Sequence, residues 1–185
     1  MVSRMAEKVH FLPVDLRIHR PQVIDLNVEY MEWVAKEGSE YFKIDIFAVA
    51  GTSVREYIAS TIDKLLSDVS SRGMYYLVEI EGTIIGMDAL RQIREKIGEI
   101  KRMYIRPSFR GKGYGKALLQ QLLQKAKEFE YHSIYLDSAR FMTTAQNLYR
   151  SFGFVERKEY PETEIPPQLR SKWVYMEKTL KDTTK

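Results

Sequence analysis

Arg110-Gly111-Lys112-Gly113-Tyr114-Gly115 is the stretch on which the reading of this chain turns. Three glycines at alternate positions let the backbone approach a ligand and take torsions closed to other residues. Downstream, Leu118, Leu119, Leu122, Leu123, Ala126 and Phe129 recur at helical spacing, which predicts an amphipathic helix opening directly from the loop. A helix start offers unpaired N–H groups and the positive end of its dipole, a combination that suits phosphate. Arg110, Lys112 and Lys116 add charge beside it. On these residues alone, a phosphate cradle and a tight glycine turn with solvated lysines both stay open. Two familiar phosphate motifs do not fit. Gly115-Lys116 is followed by Ala117, where a Walker loop needs a hydroxyl for magnesium. The dinucleotide fingerprint places its third glycine one residue later, after the first strand of a parallel unit.

Working outward, Met74 to Glu81 predicts a strand, Glu81-Gly82-Thr83 a turn and Ile84 to Gln92 the hairpin partner. Gly98 to Ile105 is a third strand, closed by Pro107. Beyond the loop's helix come a strand from Ser133 to Asp137 and a helix from Thr143 to Phe152, stopped by Gly153. Phe154-Val155 starts a further strand. A loop with Pro161, Pro166 and Pro167 precedes a last strand, Trp173 to Leu180. At the other end, Val9 to Val14 reads as a strand. A helix follows, with Pro21 in its first turn, Val23, Leu26, Tyr30, Trp33 and Val34 on one face, and Gly38 as its stop. Residues 39–52 read as a loop. Ser53-Val54-Arg55-Glu56 is a capping box for a helix whose Tyr57, Ile58, Ile62, Leu65, Leu66 and Val69 share a face up to Gly73. The expected class is α/β: a mixed, largely antiparallel central sheet flanked by helices.

A chain of 185 residues suits one domain. The expected division is 1–73 (strand and two helices), 74–156 (core), 157–180 (loop and strand) and a frayed tail, 181–185. No cysteine is present, which removes disulfides, thiolate metal sites and a cysteine nucleophile. His10, His19 and His132 are scattered, so no metal is expected. The net charge of +4 is too small and too dispersed to imply nucleic acid. Met1 to Lys8 lack the apolar core of a signal peptide, and no apolar run approaches the ~20 residues that cross a bilayer. A cytoplasmic protein without a membrane partner is the expectation.

With the strand Glu99 to Pro107 ahead of it, Arg110 to Gly115 resembles the Arg/Gln-x-x-Gly-x-Gly/Ala signature of the GCN5-related N-acetyltransferase (GNAT) superfamily. Ala145-Gln146-Asn147-Leu148-Tyr149-Arg150-Ser151-Phe152-Gly153-Phe154 is similar to its Ala-x-x-Leu-Tyr-x-x-x-Gly-Phe motif. The resemblance covers residues 74–156. It implies the acyl-CoA N-acyltransferase fold, with a splayed parallel pair formed by residues 98–105 and 133–137. Acetyl-CoA would be the co-substrate, its pyrophosphate on Arg110, Gly111, Lys112, Gly113, Tyr114, Gly115 and Lys116. The pantetheine arm would lie along Met103, Tyr104 and Ile105, as an added strand would.

The resemblance further implies transfer of an acetyl group to a primary amine of a small molecule or peptide. Tyr149 stands at the family's general-acid position, where it would also meet the cofactor, and Glu99 at a recurrent base position. A core tyrosine and a strand-end carboxylate paired with Lys101 or Arg102 are the plainer readings of the same residues. Met142 departs from the family, many of whose members carry asparagine there; Thr143 suits a helix N-cap. The acceptor would enter beside Glu29, Tyr30, Glu32, Trp33 and residues 160–166. A homodimer is compatible with the family, and a non-catalytic CoA-binding or sensing domain is the competing function.

Overall fold

A computed structural model describes residues 9–45, 53–67 and 72–180. In chain order the elements are β1 (Val9–Pro13), α1 (Leu16–Phe42), α2 (Val54–Ser67), β2 (Met74–Ile80), β3 (Thr83–Arg94) and β4 (Ile97–Ile105). There follow α3 (Tyr114–Glu128), β5 (Ser133–Ala139), α4 (Thr143–Ser151), β6 (Val155–Arg157) and β7 (Trp173–Thr179). The strands form a sheet in the order β1-β2-β3-β4-β5-β7-β6, antiparallel except for the β4–β5 pair. This is the mixed, flanked sheet expected from the sequence.

The sheet carries helices on both faces. Leu119, Leu122, Leu123 and Ala126 of α3 and Tyr149 of α4 pack on Tyr76, Leu90, Ile100, Ile134, Leu136 and Met176. On the opposite face, Val23 and Leu26 of α1 and Ile62 of α2 cover Tyr75, Leu77, Met87, Ala89 and Tyr104. Further along that face, the loop between β6 and β7 lays Tyr160 and Leu169 over Tyr135, Trp173 and Tyr175.

Two boundaries near the N-terminus differ from expectation. Asp15 caps α1 by accepting from the Arg17 N–H at 2.9 Å, so the helix starts at Leu16 and Pro21 lies inside it, beyond the first turn. Gly38 does not end α1. It is buried, and the helix runs on to Phe42, where Lys43 takes the left-handed conformation (φ 56°). The aromatic side chains of 39–42 had read as loop; instead Phe42 packs against Phe141 and Trp173. The rest of that expected loop, 46–52, lies outside the described residues, as do Met1 to Lys8, Val69 within 68–71, the tail 181–185 and the side chains of Tyr57, Leu65 and Leu66. The capping box is present: Glu56 N–H donates to Ser53 Oγ and Ser53 N–H to Glu56 Oε2, both at 3.3 Å.

Candidate functional site

β4 and β5 pair from Ile97↔Ser133 to Ile100↔Leu136, and there the ladder stops. The two strands then part, and a bulge makes the split usable. Met87 faces Tyr104 and Ala89 faces Lys101, so Asp88 alone opposes both Arg102 and Met103. Arg102 absorbs the extra residue in the left-handed region, φ 58°, a conformation that costs an L-residue roughly 1–2 kcal/mol. Bulges of this kind re-aim side chains beside functional sites. Here Lys101 and Tyr104, three residues apart, end on the α1 face, and Met103 turns to the α3 face. Gly86 completes the arrangement, because a Cβ there would lie 2.4 Å from the Tyr104 carbonyl oxygen.

At the mouth of the split stands the glycine loop. Gly113 is the N-cap of α3, left-handed at φ 89°, with no side chain capping the helix. Gly111 has φ 76°, and a Cβ on either glycine would meet only open space. The first-turn amides of Gly115 and Lys116 have no helix carbonyl to bond, and Lys112 and Lys116 are exposed beside them. An anion of pyrophosphate size fits this open, cationic, uncapped helix start. Tyr114 packs its side chain toward Val78, Ile85 and Ile105. Arg110 takes another course: its guanidinium lies 4.5 Å over the Trp33 ring and its Nε donates to the Ile105 carbonyl at 2.8 Å. The side chain thus ties the loop to α1, and it occupies a carbonyl expected to face the pantetheine arm.

Tyr149 is positioned by the end of its own helix. Phe154 N–H donates to the Tyr149 carbonyl at 3.1 Å and Gly153 N–H to Arg150 at 2.9 Å, with Gly153 left-handed at φ 83°. This is a Schellman closure, whose apolar contact is the Phe154 ring 5.9 Å from that of Tyr149. The spacing Leu-Tyr-x-x-x-Gly-Phe therefore has a structural cause. The Tyr149 hydroxyl reaches Met103 Sδ at 3.7 Å, inside the split. Burial, then the neighbouring Tyr30, Asp137 and Asp88, push its pKa above the ordinary phenol value, so it keeps its proton. Met142, not Thr143, is the N-cap of α4 and offers no side-chain cap.

Glu99 is fully buried. Its Oε2 accepts from Arg91 Nε at 2.7 Å and its Oε1 from the Tyr160 hydroxyl at 2.5 Å, with Lys101 Nζ at 3.7 Å. Pairing with Lys101 had been foreseen and Arg91 had not; Arg102 takes no such role. At the first position beyond the ladder, Lys101 Nζ lies 3.5 Å from Asp137 Oδ2. Glu164, from the β6–β7 loop, reaches Arg91 with one oxygen (2.9 Å) and Lys101 with the other (3.4 Å). Burial works to raise the Glu164 pKa, but Lys101 and Arg91 together hold it below the usual carboxylate range. Of the other acceptor-side residues, Glu29 binds the Tyr104 hydroxyl and Arg106, both at 2.9 Å. Tyr30 and Trp33 pack on Tyr104, while Glu32 is exposed.

Comparison with known proteins places these features in context. A model described as the acetyltransferase (GNAT) family matches residues 29–154. The uncharacterized N-acetyltransferase YjgM of Escherichia coli is 32% identical over 97 residues, half of this chain and 58% of its own length. The chain spans between 30% and 58% of the first curated relatives it matches. A GNAT-family acetyltransferase of Staphylococcus aureus superposes with a TM-score of 0.70 at 18% identity, covering 94% of this chain and all of that one. The PaiA N-acetyltransferase of Thermoplasma acidophilum, solved with coenzyme A, gives 0.65 at 20%, covering 94% and 99%. At those identities the likeness is one of fold.

Proposed function

Since this chain belongs to the acetyltransferase (GNAT) family, we propose that it moves an acetyl group from acetyl-CoA to a primary amine, by direct attack with donor and acceptor bound together. The observation that carries the reading is the uncapped, glycine-opened start of α3 standing at the mouth of the β4–β5 split. The loop holds the pyrophosphate on the amides from Gly111 to Lys116 and on Lys112 and Lys116. The arm passes between the strands along Met103 and Tyr104. A relative of the same fold binds coenzyme A, which supports this placement. The donor supplies an activated acyl carbon; the amine nitrogen bonds to it as the carbon–sulfur bond breaks. Tyr149, protonated and reaching into the split, gives the departing thiolate its proton.

Glu99 serves this chemistry as an anchor. Both its oxygens are taken and it is fully buried, so it orders Arg91 and Lys101 rather than taking a proton from the acceptor. Asp137 is the carboxylate assigned to meet the acceptor nitrogen and take the proton it loses on acylation, while Tyr149 recovers its own proton from solvent. Asp137 lies at the split, and both its side-chain contacts, to Lys101 and Tyr160, are loose at 3.5 Å. Following thiol release from acetyl-CoA across a panel of amines tests the reading; no release with any amine, from protein that binds CoA, overturns it.

A further inference from the structure

The face of the split turned toward α1 carries two buried cations, and one of the carboxylates they share comes from outside the sheet. Arg91 and Lys101 have side chains only 9% and 10% exposed. β4 and β5 supply them with Glu99 and Asp137. The third carboxylate on this pair, Glu164, comes from a loop, and at 44% exposed it is the member of the cluster most open to solvent. One oxygen rests on each cation, as a free carboxylate would bridge them.

Counting charges, Arg91 and Lys101 against Glu99, Asp137 and Glu164 leave the cluster at −1. Without Glu164 it is neutral. An incoming carboxylate in that place restores the present charge, and an ammonium on the same molecule balances it to zero. Glu164 and Asp137 both contact one Lys101 ammonium, at 3.4 and 3.5 Å. A carboxylate taking the first position and an amine facing the second therefore need be only a few bonds apart.

Resting on the acetyl-transfer reading above, we propose that the acceptor is a small amino acid, whose carboxylate displaces Glu164 from Arg91 and Lys101 and whose amine faces Asp137. Glu164 is then an internal occupant of the acceptor subsite. It must be displaced by the acceptor's own carboxylate, so it lowers the apparent affinity for the amino acid by the fraction of time it stays in place.

The test is calorimetric binding of the twenty free amino acids and of their matched α-amides, to the wild type and to Glu164→Gln, with CoA present. At least one amino acid is expected to bind about tenfold or more tightly than its amide, a difference of about 1.4 kcal/mol. Glu164→Gln, exposed and safe to the fold, should tighten that amino acid about three- to tenfold and leave the amide unchanged. Equal binding of acid and amide in the wild type overturns the subsite, as does a Glu164→Gln affinity for the acid that is unchanged or weaker. Thiol release is read separately. Release at equal rates from acids and amides keeps the transfer reading and removes the subsite; carboxylate-selective binding without release does the reverse.

Discussion

On the α3 side of the split, the surface offered to a ligand is mostly backbone: glycines in left-handed conformations, first-turn amides and a bulged strand edge. On the α1 side it is side chain: five ionised groups from β3, β4, β5 and a distant loop, each held by the others. The first is a local product of a few consecutive residues. The second exists only after residues 91, 99, 101, 137 and 164 have been brought together. Perturbing the glycine loop should therefore read out in ligand affinity, and removing a buried member of the ion cluster in the fold.

The largest effect belongs to the α1 side. Replacing Glu99 with leucine leaves Arg91 without its closest partner, and losing one member of a buried pair costs about 3–5 kcal/mol. Urea unfolding is the measurement. Adding Arg91→Met on the same chain should recover much of the loss, because the apolar pair no longer strands a charge. A loss under about 1 kcal/mol would be that of an exposed strand-end carboxylate, and would return Glu99 to the role of a reachable base. Tyr149→Phe comes next. Removing the acid should lower kcat by about 100-fold, with the CoA dissociation constant unaltered; a normal kcat would deprive Tyr149 of its role.

The donor side was legible for the reason that it is local. Arg110 to Gly115 and Leu148 to Phe154 each encode a backbone shape within one run of residues, and the Schellman closure behind Tyr149 is one such shape. The hairpins and the mixed sheet followed from turn and periodicity patterns, and the split from the resemblance to the family. The signals that went unread were charges inside apolar strands. Asp88 and Arg91 interrupt Ile84 to Leu90 and its continuation, and in a strand buried on both faces a charge calls for a partner. One of Arg91's partners, Glu164, is 73 residues beyond it, and no periodicity reports it. The bulge at Arg102 was silent too, since nothing in Lys101-Arg102-Met103 asks for a left-handed residue. Arg110 was misdirected by its neighbours: it borders a cationic loop, yet Trp33 of α1 draws its guanidinium away.

Two glycines of the donor loop sharpen the contrast within it. Gly113→Asp forces a left-handed side chain and sets a negative charge at a helix start, which together should weaken CoA binding about 10- to 100-fold. Gly115→Ala should leave affinity within about twofold, since its Cβ would rest 3.7 Å from Leu148 Cδ2, an ordinary contact. Calorimetry on both variants distinguishes a cradle from a turn: equal affinities would mean the loop does not hold the pyrophosphate.

The smallest effects come from two carboxyls, one on each side, with opposite signs. Asp88 is fully buried on the α3 side, and neither oxygen makes a well-formed hydrogen bond. Burial raises its pKa well above the usual value, opposed only weakly by the Tyr76 backbone across the strand pair. The folded chain keeps a proton there that the unfolded chain releases. Its contribution to stability is thus complete below about pH 4 and lost as pH rises toward the folded value. Asp88→Asn should raise Tm by a few degrees at neutral pH, and the gain should vanish near pH 4. Glu164 is the converse. Its lowered pKa gives stability that is present above about pH 4.5 and lost as pH falls through the folded value. Glu164→Gln should therefore flatten only the acid limb of the Tm profile. If both variants shift the same limb, the division between an unpaired carboxyl under α3 and a paired one under α1 fails, and with it the reading of Glu164 as the carboxylate that bridges Arg91 and Lys101.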